Sequence, residues 1–152
     1  MTTIRNLIAG LGGAIAVNLL HETLKKKVKD APRLDKLGEE AVQKTVVQTT
    51  DSAIQSKDKL YATALGADLV ANAMYFAMIG AGNTKHIWPK ALTLGLTAGT
   101  GAITLPSALG LNSATTDKTP KTKSMTVGYY LFGAIVTAGI LKLMDRRHTL
   151  TS

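Results

Sequence analysis

Apolar residues in this chain gather in long runs rather than on one face of each helix. The clearest run is residues 60–82, LYATALGADLVANAMYFAMIGAG, where Asp68 is the one charged side chain. As a helix it would be about 34 Å long at ~1.5 Å rise per residue. A bilayer hydrocarbon core is ~30 Å thick and needs ~20 apolar residues to cross. The run therefore reads as a membrane span carrying a carboxylate. Residues 91–111 hold no charge, and none follows until Asp117. Residues 125–141 form another run, with Tyr129 and Tyr130 near its start and Lys142, Arg146, Arg147 and His148 after it. A water-facing helix shows charge every turn or two on its wet side, and these runs do not.

The first run is shorter, because only residues 7–20 are free of charge. Arg5, an apolar stretch and Ala14-Ile15-Ala16 imitate a cleaved leader. Gly10, Gly12 and Gly13 make that stretch a poor leader core. The better reading is a first span over residues 4–24, in which the glycines allow close helix approach.

Between the first two spans, residues 33–59 predict an amphipathic helix. Leu34, Leu37, Ala41 and Val42 recur at three- and four-residue steps. Lys36, Glu39, Glu40 and Lys44 occupy the opposite face. Pro32 suits a helix start. Such a stripe needs a cover: headgroups, the ends of the spans, or a partner protein.

The chain is thus expected to be all-α, an integral membrane four-helix bundle forming a single polytopic domain over residues 1–152. Its spans lie at about 4–24, 60–82, 91–111 and 125–141, with the amphipathic helix at 33–59. Its expected partners are the lipid bilayer and a membrane-protein partner or further copies of itself. Its general look is that of a small bacterial inner-membrane protein.

Charge sharpens this picture. Of 28 Lys, Arg, Asp and Glu residues, 16 fall within residues 22–59. The net charge of +8 sits beside the apolar runs, and aromatics are not interleaved with the basic residues. That is the distribution of positive-inside loops and headgroup attraction, not the continuous basic face of a nucleic-acid binder. The first and third loops carry nine and three Lys and Arg, against six on the other side. Residues 25–59 are therefore expected on the cytoplasmic side of a cell inner (plasma) membrane, with both termini outside.

Familiar chemistry is mostly excluded. There is no cysteine, so thiolate catalysis and cysteine-based metal sites are ruled out. His21-Glu22 begins like a zinc-protease motif, but Lys25 stands where the second histidine belongs. Ser56-Lys57-Asp58-Lys59 matches S-x-x-K without the companion motifs of acylating enzymes. Gly99-Thr100-Gly101 follows no strand and has no closing Lys, so it is not a phosphate loop. His21, His86 and His148 stand at different span ends and do not make a metal set. No cofactor and no metal are expected.

Asp68 is the sharp feature. A carboxylate at mid-span costs ~3 kcal/mol on insertion scales and is by default a functional candidate. Asn72 at i+4 and Tyr75 at i+7 share its face. Asp68, Asn72 and Tyr75 could form an ion or proton site, or a structural hydrogen-bonding group. Gly95 and Gly99 make a G-x-x-x-G pair, and Gly101 extends the small surface, as in helix packing within an apolar run. Pro106 should kink that helix or end it early. Two functions follow. The first is a non-enzymatic structural or accessory subunit, or a self-associating bundle. The second is a small proton- or ion-coupled transporter or channel using Asp68. An enzyme is not expected, since no nucleophile–base pair can be named.

Overall fold

The computed structural model describes residues 2–150, with side chains for residues 2–146. The side chains of Arg147 and His148, read above as closing the last span, lie outside the described residues. Among the described residues the chain forms six α-helices: α1 (Thr3–Leu24), α2 (Leu34–Thr50), α3 (Lys57–Ala77), α4 (Ile87–Ala108), α5 (Ala114–Asp117) and α6 (Pro120–Leu150). Two 3-10 turns, Met78–Gly80 and Thr84–His86, join α3 to α4.

Three of these segments are long and apolar enough to cross a membrane: Thr3–Leu24, Lys57–Gly80 and Pro120–Arg146. α4 matches α1 in length at 22 residues. Its leucines are diluted by Thr93, Thr97, Thr100 and Thr104 and by three glycines. The pattern of charge-free runs gives four spans; hydropathy singles out three.

Capping sets several boundaries. Thr2 accepts from Arg5 N at the start of α1, and Ser56 accepts from Lys59 N at the start of α3. This is the usual way to satisfy the orphan N–H groups of a first turn. The helix expected over residues 33–59 stops at Thr50. There Asp51 takes a left-handed conformation, φ 53°, which a short polar side chain tolerates better than most. Thr49 and Thr50 return their hydroxyls to the Thr45 and Val46 carbonyls. Residues 52–56 are irregular. Pro106 sits in the last turn of α4, which ends at Ala108, and Gly110 at φ 68° turns the chain away.

The long helices pack in an open row. α1 lies against α3 on one side and α6 on the other, and α6 lies against α4. α3 and α4 stand at the two ends of the row and barely meet.

Glycines make the close crossings. A Cβ on Gly10 would overlap Ala73 O and approach Ala77 N at 2.8 Å. One on Gly13 would overlap Thr137 Oγ1, and one on Gly133 would overlap Val17 and meet the Phe76 ring at 2.9 Å. Phe76 is fully buried where α1, α3 and α6 converge.

The packing is inside out relative to a water-soluble bundle. Inward positions are small or weakly polar, such as Ala9, Ala14, Ala134, Ala138 and Thr137. Large apolar side chains point outward from all four long helices: Ile4 is 70% exposed, Met74 61%, Leu105 57% and Leu143 62%.

α2 has no fully buried residue and rests on α3, with Gly38 against Ala64. Gln43 bonds the Ile54 backbone through both its amide groups. Glu40 accepts from Asn112 N at 3.0 Å, and Lys44 Nζ donates to Leu109 O at 2.6 Å. α2 therefore bridges the start of α3 and the end of α4, closing one end of the gap between them.

Candidate functional site

The gap between α3 and α4 is a cleft of about 890 Å³. α3 supplies Asp68, Asn72 and Tyr75 to one wall, as their i, i+4, i+7 spacing requires. α4 supplies Leu96, Thr97, Gly101 and Leu105 to the other. Leu37 and Ala41 of α2 cover one end, and Tyr130 of α6 lies on the inner side. The volume falls within the range of small-molecule sites, roughly 300–1,000 Å³.

The three polar residues expected on one face are all present in the cleft wall, and each has a defined partner. Asn72 Nδ2 donates to Asp68 Oδ1 at 2.8 Å. Asn18 Nδ2, from α1, donates to Asp68 Oδ2 at 2.9 Å and also bonds Ala14 O. Tyr75 OH donates to Leu94 O at 2.9 Å, the direct polar tie between α3 and α4. Among the described residues Asp68 makes no ion pair: both of its hydrogen-bond donors are neutral amides. Asn18 and Tyr130 are additions to the set legible in sequence. Asn18 had one available signal, an amide inside an apolar run three residues before His21 and hence on the same face.

The packing glycines divide. A Cβ on Gly95 would lie 3.0 Å from Leu131 Cα and Ala134 Cβ, and one on Gly99 would lie 2.6 Å from Val127 Cα. Both therefore seat α4 against α6 of the same chain. Gly101 faces elsewhere. Its added Cβ would meet Leu105 Cδ1 at 3.5 Å, and it lines the cleft.

Above Asp68, toward α2, lies a charged cluster that joins three elements. A small void of about 20 Å³ between the two is lined by Asn18, His21, Asp35, Tyr61 and Asp68. Arg33 grips Asp35 with two parallel bonds, Nε–Oδ1 at 2.9 Å and Nη2–Oδ2 at 2.8 Å. Lys25 Nζ lies 2.6 Å from Glu22 Oε1 and 3.3 Å from Asp35 Oδ2. Tyr61 OH donates to Glu22 Oε1 at 3.0 Å. The buried His21 ring stands with Nε2 3.4 Å from Asp35 Oδ1, outside hydrogen-bond geometry, and edge-on to Tyr129.

Burial pushes the Asp35 carboxyl up, but His21, the Arg33 fork and Lys25 outweigh it. They hold Asp35 well below the usual carboxylate range. Burial likewise lowers Lys25, and its contacts with Glu22 and Asp35 more than reverse that, leaving it raised.

No group of three His, Asp or Glu side chains able to hold a metal ion occurs among the described residues. His86 stands in the turn before α4, far in sequence from His21, and the two belong to opposite ends of the helices. Compared with protein-family profiles, with curated proteins and with solved structures, this chain gives no match.

Proposed function

We propose that the chain is a four-span, non-enzymatic membrane protein. In this reading α1, α3, α4 and α6 cross the bilayer and α2 lies at its cytoplasmic surface. The protein acts as a small proton- or ion-coupled carrier, with Asp68 as the coupling group. The outward-facing Leu, Ile and Met side chains support the membrane reading, because lipid tails are as apolar as they are and bundle interiors then favour small residues. α4 joins the other three as a span because three of its four threonine hydroxyls bond carbonyls four residues back, which lowers the cost of placing them in lipid.

One observation carries the carrier reading: an intramembrane carboxylate without a cationic partner opens onto a cleft of ligand size. Intramembrane ionisable groups facing an interior cavity mark ion and substrate pathways. The reading as an accessory or self-associating bundle drew its support from the glycine-rich packing faces, Gly95 and Gly99 among them, and from the amphipathic segment, whose α2 packs on α3. Those glycines are occupied by α6 of the same chain, so the geometry favours the carrier.

The test is proton entry into proteoliposomes under a potassium-diffusion potential, read with a trapped pH-sensitive dye. The wild-type chain should admit protons above the empty-liposome rate, and Asp68→Asn should return the rate to that background. Equal flux through both proteins would remove Asp68 from the coupling role.

A further inference from the structure

We propose that the α3–α4 cleft takes a lipophilic organic cation, an ammonium or phosphonium with an apolar body, its charge held at Asp68. The inference rests on the carrier reading and names its substrate class.

The first argument is charge complementarity. Asp68 is ionisable, lies in the cleft wall, and among the described residues accepts two amide N–H groups and makes no ion pair, with His21 facing it across the small void above. On its cleft side no cationic side chain lines the wall, which leaves that side of the carboxylate to a cation from outside. The carboxylate keeps lone pairs free after accepting the two amide bonds, since two carboxylate oxygens offer about four acceptor sites.

The second argument is against a divalent metal ion. Calcium or magnesium would need about six oxygen ligands in a tight shell. Here the two amides turn their N–H groups, not their oxygens, toward the carboxylate. The remaining wall of α4 and α2 is mostly leucine, alanine and glycine, with Thr97 and Thr104 bonded to their own helix and Thr100 a single further hydroxyl, too few oxygens for such a shell. One carboxylate in such surroundings suits a large ion of diffuse charge that sheds its water at little cost.

The third argument concerns the body of the ligand. Leu37, Leu96, Leu105 and Leu109 line the cleft and give an apolar container. Tyr75 and Tyr130 line it as well, and aromatic faces attract cations within about 6 Å of the ring centroid. Leu96 and Leu105 are also half-exposed at the outer rim. The cleft therefore opens sideways, toward the phase in which a lipophilic cation dissolves.

The experiment is equilibrium binding of tritiated tetraphenylphosphonium to the full chain in phosphatidylcholine nanodiscs. Binding should be saturable at one site per chain and at least tenfold weaker in Asp68→Asn. It should be unchanged in Asp58→Asn, which alters an exposed carboxylate of the same helix. Gly101→Phe keeps the carboxylate but fills the cleft, and it should weaken binding at least tenfold with the helical circular dichroism retained. Uncharged triphenylphosphine oxide should compete at least tenfold less well than the phosphonium. Equal binding to wild type and Asp68→Asn, or equal competition by the neutral compound, would overturn the proposal and leave the cleft to lipid tails. So would binding unaffected by Gly101→Phe. If no phosphonium binds while proton flux still depends on Asp68, the substrate class falls and the carrier reading stands. Loss of both removes both.

Discussion

Replacing Gly99 with alanine tests the fold where sequence pattern and packing meet. The new Cβ would stand 2.6 Å from Val127 Cα and 3.2 Å from Val127 Cβ. Carbon atoms rest at roughly 3.5–4.0 Å, so α4 and α6 must part by about 1 Å. Val127 Cα is backbone and cannot rotate aside. Overpacking of this kind costs typically 1–3 kcal/mol. Gly101→Ala is the internal control. Its Cβ would meet only the tip of Leu105 at 3.5 Å. Both substitutions gain the same helix propensity, up to about 1 kcal/mol, so that gain cancels in the comparison. Gly99→Ala should therefore be less stable than Gly101→Ala by about 1–3 kcal/mol. The assay is reversible unfolding in dodecylmaltoside micelles titrated with sodium dodecyl sulfate, followed by circular dichroism. Equal stability of the two variants would refute the α4–α6 seam. A drop in oligomer cross-linking with unaltered monomer stability would refute it too, since Gly99 would then join copies rather than helices of one copy.

Two further outcomes are expected. Asp35→Asn should destabilise the chain by about 3 kcal/mol, the usual cost of removing one partner from a buried ion pair; its side chain is 6% exposed. Because the folded-state pKa of Asp35 is depressed, its stabilisation is complete above the unfolded value of about 3.9 and declines progressively as pH falls from there toward the much lower folded-state pKa. Glu22, His21, Lys25 and Tyr61 face the same cluster, so the comparison is wild type against Asp35→Asn across pH 6 to 2. The gap should narrow below about pH 4, and a gap that stays constant down to pH 2 would mean the assignment to Asp35 is wrong. The second outcome concerns Trp88, the sole tryptophan, 46% exposed in the first turn of α4. Lipids brominated near the headgroup should quench it more than lipids brominated at mid-chain, as for an interfacial anchor; stronger quenching from mid-chain would displace the start of α4 from the interface.

Much of the architecture could be read from the order of residues. The four long helices fall on the four charge-poor runs because absence of charge over about 20 residues is a strong signal. The shared face of Asp68, Asn72 and Tyr75 follows from helical geometry alone. What could not be read was which helix faces which. Gly95, Gly99 and Gly101 look equivalent along the chain, yet two seat α6 and one lines the cleft. The pairing of Asn18 with Asp68 spans 50 residues, beyond the reach of any local pattern. The end of α2 was hidden for a different reason: Thr49 and Thr50 compete with the helix through their side-chain bonds and Asp51 turns left-handed, and amphipathic spacing registers neither.

The row order of the helices also dictates when the bundle can be completed. α4 leans mainly on α6, and α6 follows it in the chain. A nascent chain therefore carries α4 without its main packing partner until α6 has been made. α6 then arrives as the keystone, wedging between the early α1–α3 pair and the waiting α4. A chain stopped short of residue 120 would strand the glycine surfaces of both halves, Gly13 on α1 and Gly95 and Gly99 on α4.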